Sequence, residues 1–264
     1  MKEKNITILL PVHTLDGDYL EMLQNALGSM QDFHNDVIVS IIVPKELEDK
    51  IKNIDFGQKL QVNVLYNTTK ETDFCSQINL GIDDCKTEWF SILEVDDEFQ
   101  KTWLRNVNEY VNANPDVDVF LSLIKDINLN GEFTNFTNES VWAYSFSDKQ
   151  GFLDNEVLLE YQNYQTSGGL YRTQVIKDNG SFKNNIKLTF SYEFLLRLTH
   201  NGAKVMSIPR VGYRHVNLRE NSLFWLYKND EATKLSEKEV KFWLDTAKKE
   251  FFFKNKRDIN YVEA

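Results

Sequence analysis

Apolar and polar positions fall in blocks along this chain, and the period of the blocks switches repeatedly between that of a strand and that of a helix. Ile6 to Val12 is a short apolar run closed by Pro11 and followed by Asp16, Gly17 and Asp18, the pattern of a buried strand feeding a loop. A helix is expected next, with Asp18 as N-cap, Glu21 three residues on, and Leu20, Leu23, Leu27 and Met30 along one face. Val37 to Val43, β-branched except at Ser40, and Leu60 to Tyr66, which alternates, give a second and a third strand with a short helix between them. Phe74, Ile78 and Ile82 mark a further helix, and Trp89 to Val95 is a fourth apolar run that ends in acidic residues.

The second half repeats these signals with longer interruptions. From Thr102 a helix carries Trp103, Leu104, Val107, Tyr110 and Val111 and stops near Pro115, and Val117 to Ile124 reads as a strand. Residues 125–165, rich in Asn, Ser and aromatics with weak periodicity, read as a loop-dominated surface. Helical spacing returns at Val175 and Ile176 before Gly180, and from Ser191 to Thr199 before Asn201 and Gly202. Lys204 to Tyr213 reads as a strand interrupted by Pro209. A last helix opens with a capping box, Ser236 and Glu239, and carries the stripe Val240, Trp243, Leu244, Ala247 and Phe251. Alternation of strand and helix predicts an α/β fold, a mostly parallel central sheet with helices on both faces, plus a C-terminal amphipathic helix. No repeat or Pro/Gly-rich linker divides the chain, so residues 1–264 read as a single domain.

Charge and cysteine content narrow the functions available. Asp and Glu number 40 against 30 Lys and Arg, a net charge of -10, which repels a phosphate backbone and argues against a large nucleic-acid surface. Cys75 and Cys85, ten positions apart on one helix, are separated by roughly 15 Å, beyond disulfide reach, and read as reduced packing residues. The N-terminus, with Glu3 ahead of a short apolar run, reads as neither a signal peptide nor a transmembrane segment, so a cytoplasmic location is expected. The Asn-x-Ser/Thr triplets at Asn67, Asn135, Asn138 and Asn179 then carry no meaning, because glycosylation needs a secretory route. Lys248, Lys249, Lys254, Lys256 and Arg257, interleaved with Phe251, Phe252 and Phe253, read either as a helix end docked on the domain, its lysines favoured by the dipole, or as a contact for a membrane, a partner or DNA.

The strongest chemical signal is Trp89-Phe-Ser-Ile-Leu-Glu94-Val-Asp96-Asp97-Glu98, an apolar strand running straight into carboxylates. Side chains two apart on an extended chain share a face, so Glu94 and Asp96 together suit a hard divalent cation, Mg²⁺ or Mn²⁺; the alternative is a solvated acidic turn. A nucleotidylyltransferase also uses acidic strand ends, but Leu15-Asp-Gly-Asp18 is acidic where its phosphate loop would be basic.

The order Ile6-Thr-Ile-Leu-Leu-Pro-Val-His13, then Asn79-Leu-Gly-Ile82, then Trp89 to Glu98 resembles family 2 glycosyltransferases of the glycosyltransferase-A (GT-A) fold, with Glu94-Val-Asp96 in the place of the Asp-x-Asp motif. Gly168-Gly-Leu-Tyr-Arg172, Gly180-Ser-Phe182, Phe194 to Leu198, Gly202-Ala-Lys-Val205 and Ile208-Pro-Arg-Val-Gly-Tyr-Arg214-His215 follow the family's later landmarks, so the resemblance spans roughly residues 6–223. It implies metal-dependent transfer of a sugar from a nucleotide-diphosphate sugar to an acceptor hydroxyl, with residues 1–124 as the donor half, 125–225 as the acceptor side and 226–264 as a helical extension. It further implies nucleotide-sugar contacts from Pro11, Val12, His13, Lys45, Asn79, Glu94, Arg210 and Arg214, and a Mn²⁺ or Mg²⁺ held by Glu94, Asp96 and His215. More narrowly, Thr72 to Ser91 and Lys187 to Phe224 resemble glycosyltransferases of large tailed bacteriophages, which implies a host cytoplasm. The acceptor stays open among a modified DNA base, a protein and a glycan, and the oligomeric state is open too.

Three positions depart from the family pattern. Val43-Pro44-Lys45 stands where an Asp usually holds the nucleoside, Ile78 where an Arg precedes Asn79, and Phe190-Ser191 where a Glu-Asp pair supplies the catalytic base. Serine cannot take the acceptor's proton unaided, so Glu193 and Asp97 become the candidate bases. Glu193 also stands four residues before Arg197, the spacing of an ordinary helical ion pair. The chain therefore reads either as a divergent enzyme or as a catalytically inactive relative that serves binding or assembly.

Overall fold

The computed structural model describes residues 5–139, 151–217, 219–220 and 222–253. Strand and helix alternate through the first hundred residues: β1 (Ile6–Pro11), α1 (Tyr19–Ser29), β2 (Val37–Pro44), α2 (Glu48–Ile51), β3 (Gln61–Asn67), α3 (Phe74–Asp84), β4 (Trp89–Ile92) and the two-residue β5 (Glu98–Phe99). There follow α4 (Trp103–Ala113), β6 (Val119–Ile127), β7 (Phe133–Thr137), β8 (Phe152–Leu153), α5 (Asn155–Glu160), β9 (Leu170–Arg172), α6 (Thr173–Asp178), α7 (Phe190–His200), β10 (Val205–Val216), α8 (Leu223–Asn229) and α9 (Glu237–Glu250).

One mixed sheet gathers the strands in the order β3-β2-β1-β4-β9-β6-β10-β5, with β7 on β6 and β8 on β10. Its long ladders, β1 with β2 and β4, β2 with β3, and β6 with β10, are parallel. Short antiparallel strands join and edge them, β9 lying between β4 and β6. Side chains alternate between two apolar layers, as the pleat requires: Ile8 and Leu10 face α1 and α4, while Leu9 faces α3 and α7. The α/β fold with helices on both faces is therefore as the alternation predicts, although antiparallel strands interrupt the parallel sheet.

Several local expectations differ from the structure for identifiable reasons. Asp18 precedes α1 in a helical conformation and makes no side-chain cap, and Leu20 is 39% exposed while Ala26 joins Leu23, Leu27 and Met30 inside. β4 stops at Ile92, because the chain turns through Glu94 to Asp97, where the Asp97 N–H donates to the Glu94 carbonyl. β6 continues to Ile127 and pairs with β7 inside the segment read as loop; residues 140–150 of that segment lie outside the described residues. β10 absorbs Pro209 through register shifts between Ile208 and Tyr213 and then runs on to Val216. At α9 the capping box forms, and Ala247 and Phe251 are buried against the α7 side with Val240 at the exposed edge. Lys254, Lys256 and Arg257 lie outside the described residues. Cys75 and Cys85 are free and buried. Among the described residues, no helix is long and apolar enough to cross a membrane.

Candidate active site

The carboxyl ends of β1, β4, β6 and β10 meet on one edge of the sheet, the place where open α/β sheets leave a crevice. β9, running the other way, delivers the turn before it to the same edge, and the Gly168 N–H donates to the Ile92 carbonyl at 2.8 Å. Gly168 is required there. Its φ is +70°, and a Cβ on it would stand 2.5 Å from the Tyr213 ring. The Trp103 indole N–H donates to the Gly168 carbonyl at 2.9 Å and so pins the turn from below.

Glu94 is fixed from two sides. Its backbone N–H donates to the buried Tyr213 Oη at 3.0 Å, and Ser167 Oγ donates to Glu94 Oε1 at 2.5 Å. Asp97, 1% exposed, accepts from the Val216 N–H at 2.9 Å and lies 2.9 Å from His215 Nδ1. The ligand atoms of Glu94, Asp97 and His215 all lie within 4.8 Å of one another. An octahedral cation with oxygen arms of about 2.1 Å needs only a small contraction of that group.

The electrostatics of the cluster favour a cation. Burial, then the neighbouring Asp97 carboxylate, push the Glu94 pKa up to about 7, and burial likewise raises that of Asp97. Burial alone would lower the pKa of His215, but the Asp97 carboxylate outweighs it and lifts the imidazole to about 10. Carboxylates packed this closely hold protons or positive partners because their charges cannot all stand unscreened. Two carboxylates and an imidazole are a donor set that can hold a divalent cation.

Asp96 sits at the same strand end but turns elsewhere. Arg219 Nε donates to its Oδ2 at 2.7 Å, Arg219 Nη2 donates to Tyr19 Oη at 3.2 Å, and the guanidinium lies 4.9 Å from the Tyr19 ring centroid. Glu94 and His215 thus come together with Asp97, and Asp96 is ion-paired beside them. A cleft of about 370 Å³ opens next to this pair, lined by Asp96, Asp97, Glu98, Arg214, Arg219 and the turn between β6 and β7.

The remaining candidates divide into those at this edge and those the fold carries away. Pro11 and Val12 are buried at the end of β1, and His13 follows at the rim, edge-on to Tyr19 with ring centroids 5.5 Å apart. Lys45 lies past the end of β2, paired with Glu48 at 2.5 Å and 4.8 Å above the Tyr66 ring. Arg214 lines the cleft in an ion pair with Glu98. Arg210, four residues upstream and therefore roughly 13 Å back along the strand, forks onto Glu109 of α4 at 2.6 and 3.0 Å and does not reach this edge.

Asn79 is not a ligand contact either: it is buried, and its side chain brackets the backbone of Phe182, with both bonds below 3 Å. Glu193 is 0% exposed in a bidentate pair with Arg197 at 2.8 and 3.1 Å, joined by Lys183 at 3.0 Å, so the helical ion pair replaces the expected base. Ser191, two residues before Glu193, faces Thr166 with the two hydroxyls 3.1 Å apart, next to the Ser167 that holds Glu94. Tyr19, Ser167, Tyr213 and Arg219 escaped the sequence reading. Ser167 abuts one landmark it used and Tyr213 lies within another without being given a role, whereas nothing in the periodicity marks Tyr19 or Arg219.

Known proteins share this fold. The sequence profile of glycosyl transferase family 2 matches residues 22–180, more than half of the chain. The structure of S. aureus TarS 1-349 in complex with UDP-GlcNAc superposes with a TM-score of 0.62 at 15% identity, covering 96% of this chain and 74% of that one. The mannosyltransferase PcManGT from Pyrobaculum calidifontis, in complex with GDP-Man and Mn²⁺, superposes with a TM-score of 0.57 at 9% identity, covering 84% of this chain and 59% of that one. At these identities the likeness is one of fold. No curated protein sequence matches the chain.

Proposed function

The chain belongs to glycosyl transferase family 2, and from that premise we propose that it transfers a sugar from a metal-bound nucleotide-diphosphate sugar to an acceptor hydroxyl. The observation that carries this reading is the convergence of Glu94, Asp97 and His215 at the carboxyl edge of the sheet. Glycosyltransferases of the same fold in complex with UDP-GlcNAc, or with GDP-Man and Mn²⁺, support it.

Each residue then has a task that its contacts define. Glu94, Asp97 and His215 would hold Mn²⁺ or Mg²⁺, which when bound supplies positive charge for the departing nucleoside diphosphate. Ser167 orients the Glu94 carboxylate, and Asp97 holds the imidazole of His215 at Nδ1. His13, at the rim beyond β1, would meet the nucleotide, and Arg214 borders the cleft beside Asp96 and Asp97. Residues 125–225 would supply the acceptor side. The resemblance to bacteriophage enzymes supports a role in an infected cytoplasm, with DNA, protein or glycan hydroxyls as acceptors.

One observation favours a second reading, that of a binding or assembly protein. Ser191 occupies the place of the family's base, and Glu193 is sealed in its ion pair. Thermal melting with UDP-, GDP-, ADP- and TDP-sugars, each with and without Mn²⁺, tests both readings, because a ligand bound only by the folded state raises the melting temperature. A metal-dependent shift with one donor, abolished in Asp97→Asn, is the expected result. Slow release of nucleoside diphosphate from that donor would support the enzyme, binding with no turnover toward any acceptor class would leave the binding protein, and no shift with any donor would remove the nucleotide-sugar site.

A further inference from the structure

Arg219 is engaged differently from the other buried arginine of the fold. Arg197 is fully buried, grips both oxygens of Glu193 and donates to the carbonyls of Asn179 and Ser181, so each face of its fork is used. Arg219 meets Asp96 through Nε alone, and its second contact is a neutral phenol. Arg219 is placed by the Ser222 N–H, which donates to the Arg219 carbonyl, while the Asn217 N–H donates to the Ile127 carbonyl. Arg219 borders the cleft shared with Arg214 and Asp97. A guanidinium at the border of a cleft is matched in shape and charge to phosphate oxygens.

The partner is as informative as the arginine. Asp96 lies in the run of strand-end acids, between the two carboxylates that converge with His215, yet its charge is turned onto Arg219, with 13% and 12% of the two side chains exposed. A cation arriving alone meets a carboxylate already neutralised and a fixed positive charge beside it. A cation arriving with a diphosphate brings oxygens that compete for the guanidinium.

We propose that Arg219 is a donor-phosphate residue parked on Asp96: in the free protein it weakens the hold on a bare divalent cation, and when a metal-bound nucleoside diphosphate enters it passes from Asp96 to the phosphate oxygens, releasing Asp96 toward the cation. This rests on the donor site proposed above. The exchange makes cation and nucleotide bind as a pair, each weakly without the other.

Two affinities test the exchange: that for Mn²⁺ alone, read from the electron-paramagnetic signal of the free ion, and that for UDP or GDP at saturating Mn²⁺, read by calorimetry. Arg219→Ala is expected to bind Mn²⁺ alone roughly three- to tenfold more tightly, because a nearby positive charge is gone, and the nucleotide at least about tenfold more weakly. Arg219→Lys, which keeps the charge and covers the case of an alanine variant that does not fold, is expected to leave Mn²⁺ affinity near wild type and to weaken the nucleotide, since an ammonium cannot fork onto phosphate. A structural strut moves both affinities downward together or neither. Either pattern in Arg219→Ala, or wild-type nucleotide affinity in Arg219→Lys, overturns the proposal. A wild-type protein that binds neither nucleotide in the presence of Mn²⁺ removes the donor site itself and this proposal with it, whereas metal-dependent binding indifferent to Arg219 removes this proposal alone.

Discussion

Two clusters of ionised side chains share this fold, and they are completed to different degrees. Glu193, Arg197 and Lys183 are sealed beneath α7, where Glu193 meets both cations and the remaining guanidinium and ammonium donors end on carbonyls. At the carboxyl edge, Glu94, Asp96 and Asp97 crowd together against His215 and Arg219, and the Glu94 pKa rises to about 7 under the strain. A cluster whose one carboxylate is shared by two cations that also end on carbonyls is completed from within the chain and is a strut. One left with surplus negative charge beside a cleft is built for something the chain does not contain.

The contrast can be broken most directly at Glu193. Glu193→Ala leaves Arg197 and Lys183 buried without their counter-charge and is expected to cost about 3–5 kcal/mol of stability in urea unfolding. A variant that unfolds like wild type but loses sugar transfer would make Glu193 the base after all and erase the distinction. Ser167→Ala sharpens the other side: loss of its bond to Glu94 is expected to reduce Mn²⁺ affinity by about tenfold while the melting temperature scarcely moves. The smallest effect is expected at Arg210. Arg210→Ala removes an exposed pair with Glu109 and should alter neither nucleotide affinity nor melting temperature; a weakened nucleotide would mean that the arginine leaves Glu109 to reach the donor.

Much of this was legible in the chain before folding. β1 to β4 and α3 follow from runs of apolar residues whose period is set locally, and the acid-ended strand announces the site through composition alone. The sequence could not say which way each carboxylate turns. Glu94 and Asp96 share a face on an ideal strand, but the chain bends after Ile92, so Asp97 rather than Asp96 meets His215. Arg219 was hidden because its partners are 123 and 200 residues away, and Glu193 was ambiguous because a helix offers Arg197 at the same spacing whether or not the pair is buried. Asn79 resembles a ligand contact from its place in a motif, and only the packing of Phe182 against it reveals that both its amide oxygen and its amide nitrogen are engaged by that backbone.

The last helix also carries a consequence for how this protein can change over generations. Lys183 Nζ ends on the carbonyl of Glu250, and Thr189 Oγ1 donates to the carbonyl of Trp243, so α9 is tied into the sealed ion cluster and to the start of the helix that presents Ser191. The C-terminal helix and the buried triad are thus inherited as one unit. A lineage that trims α9 removes the carbonyl partner of the lysine ammonium and leaves it to Glu193, and one that replaces Lys183 with an apolar residue leaves the carbonyl at the end of α9 in need of another donor, so the two should drift only in step.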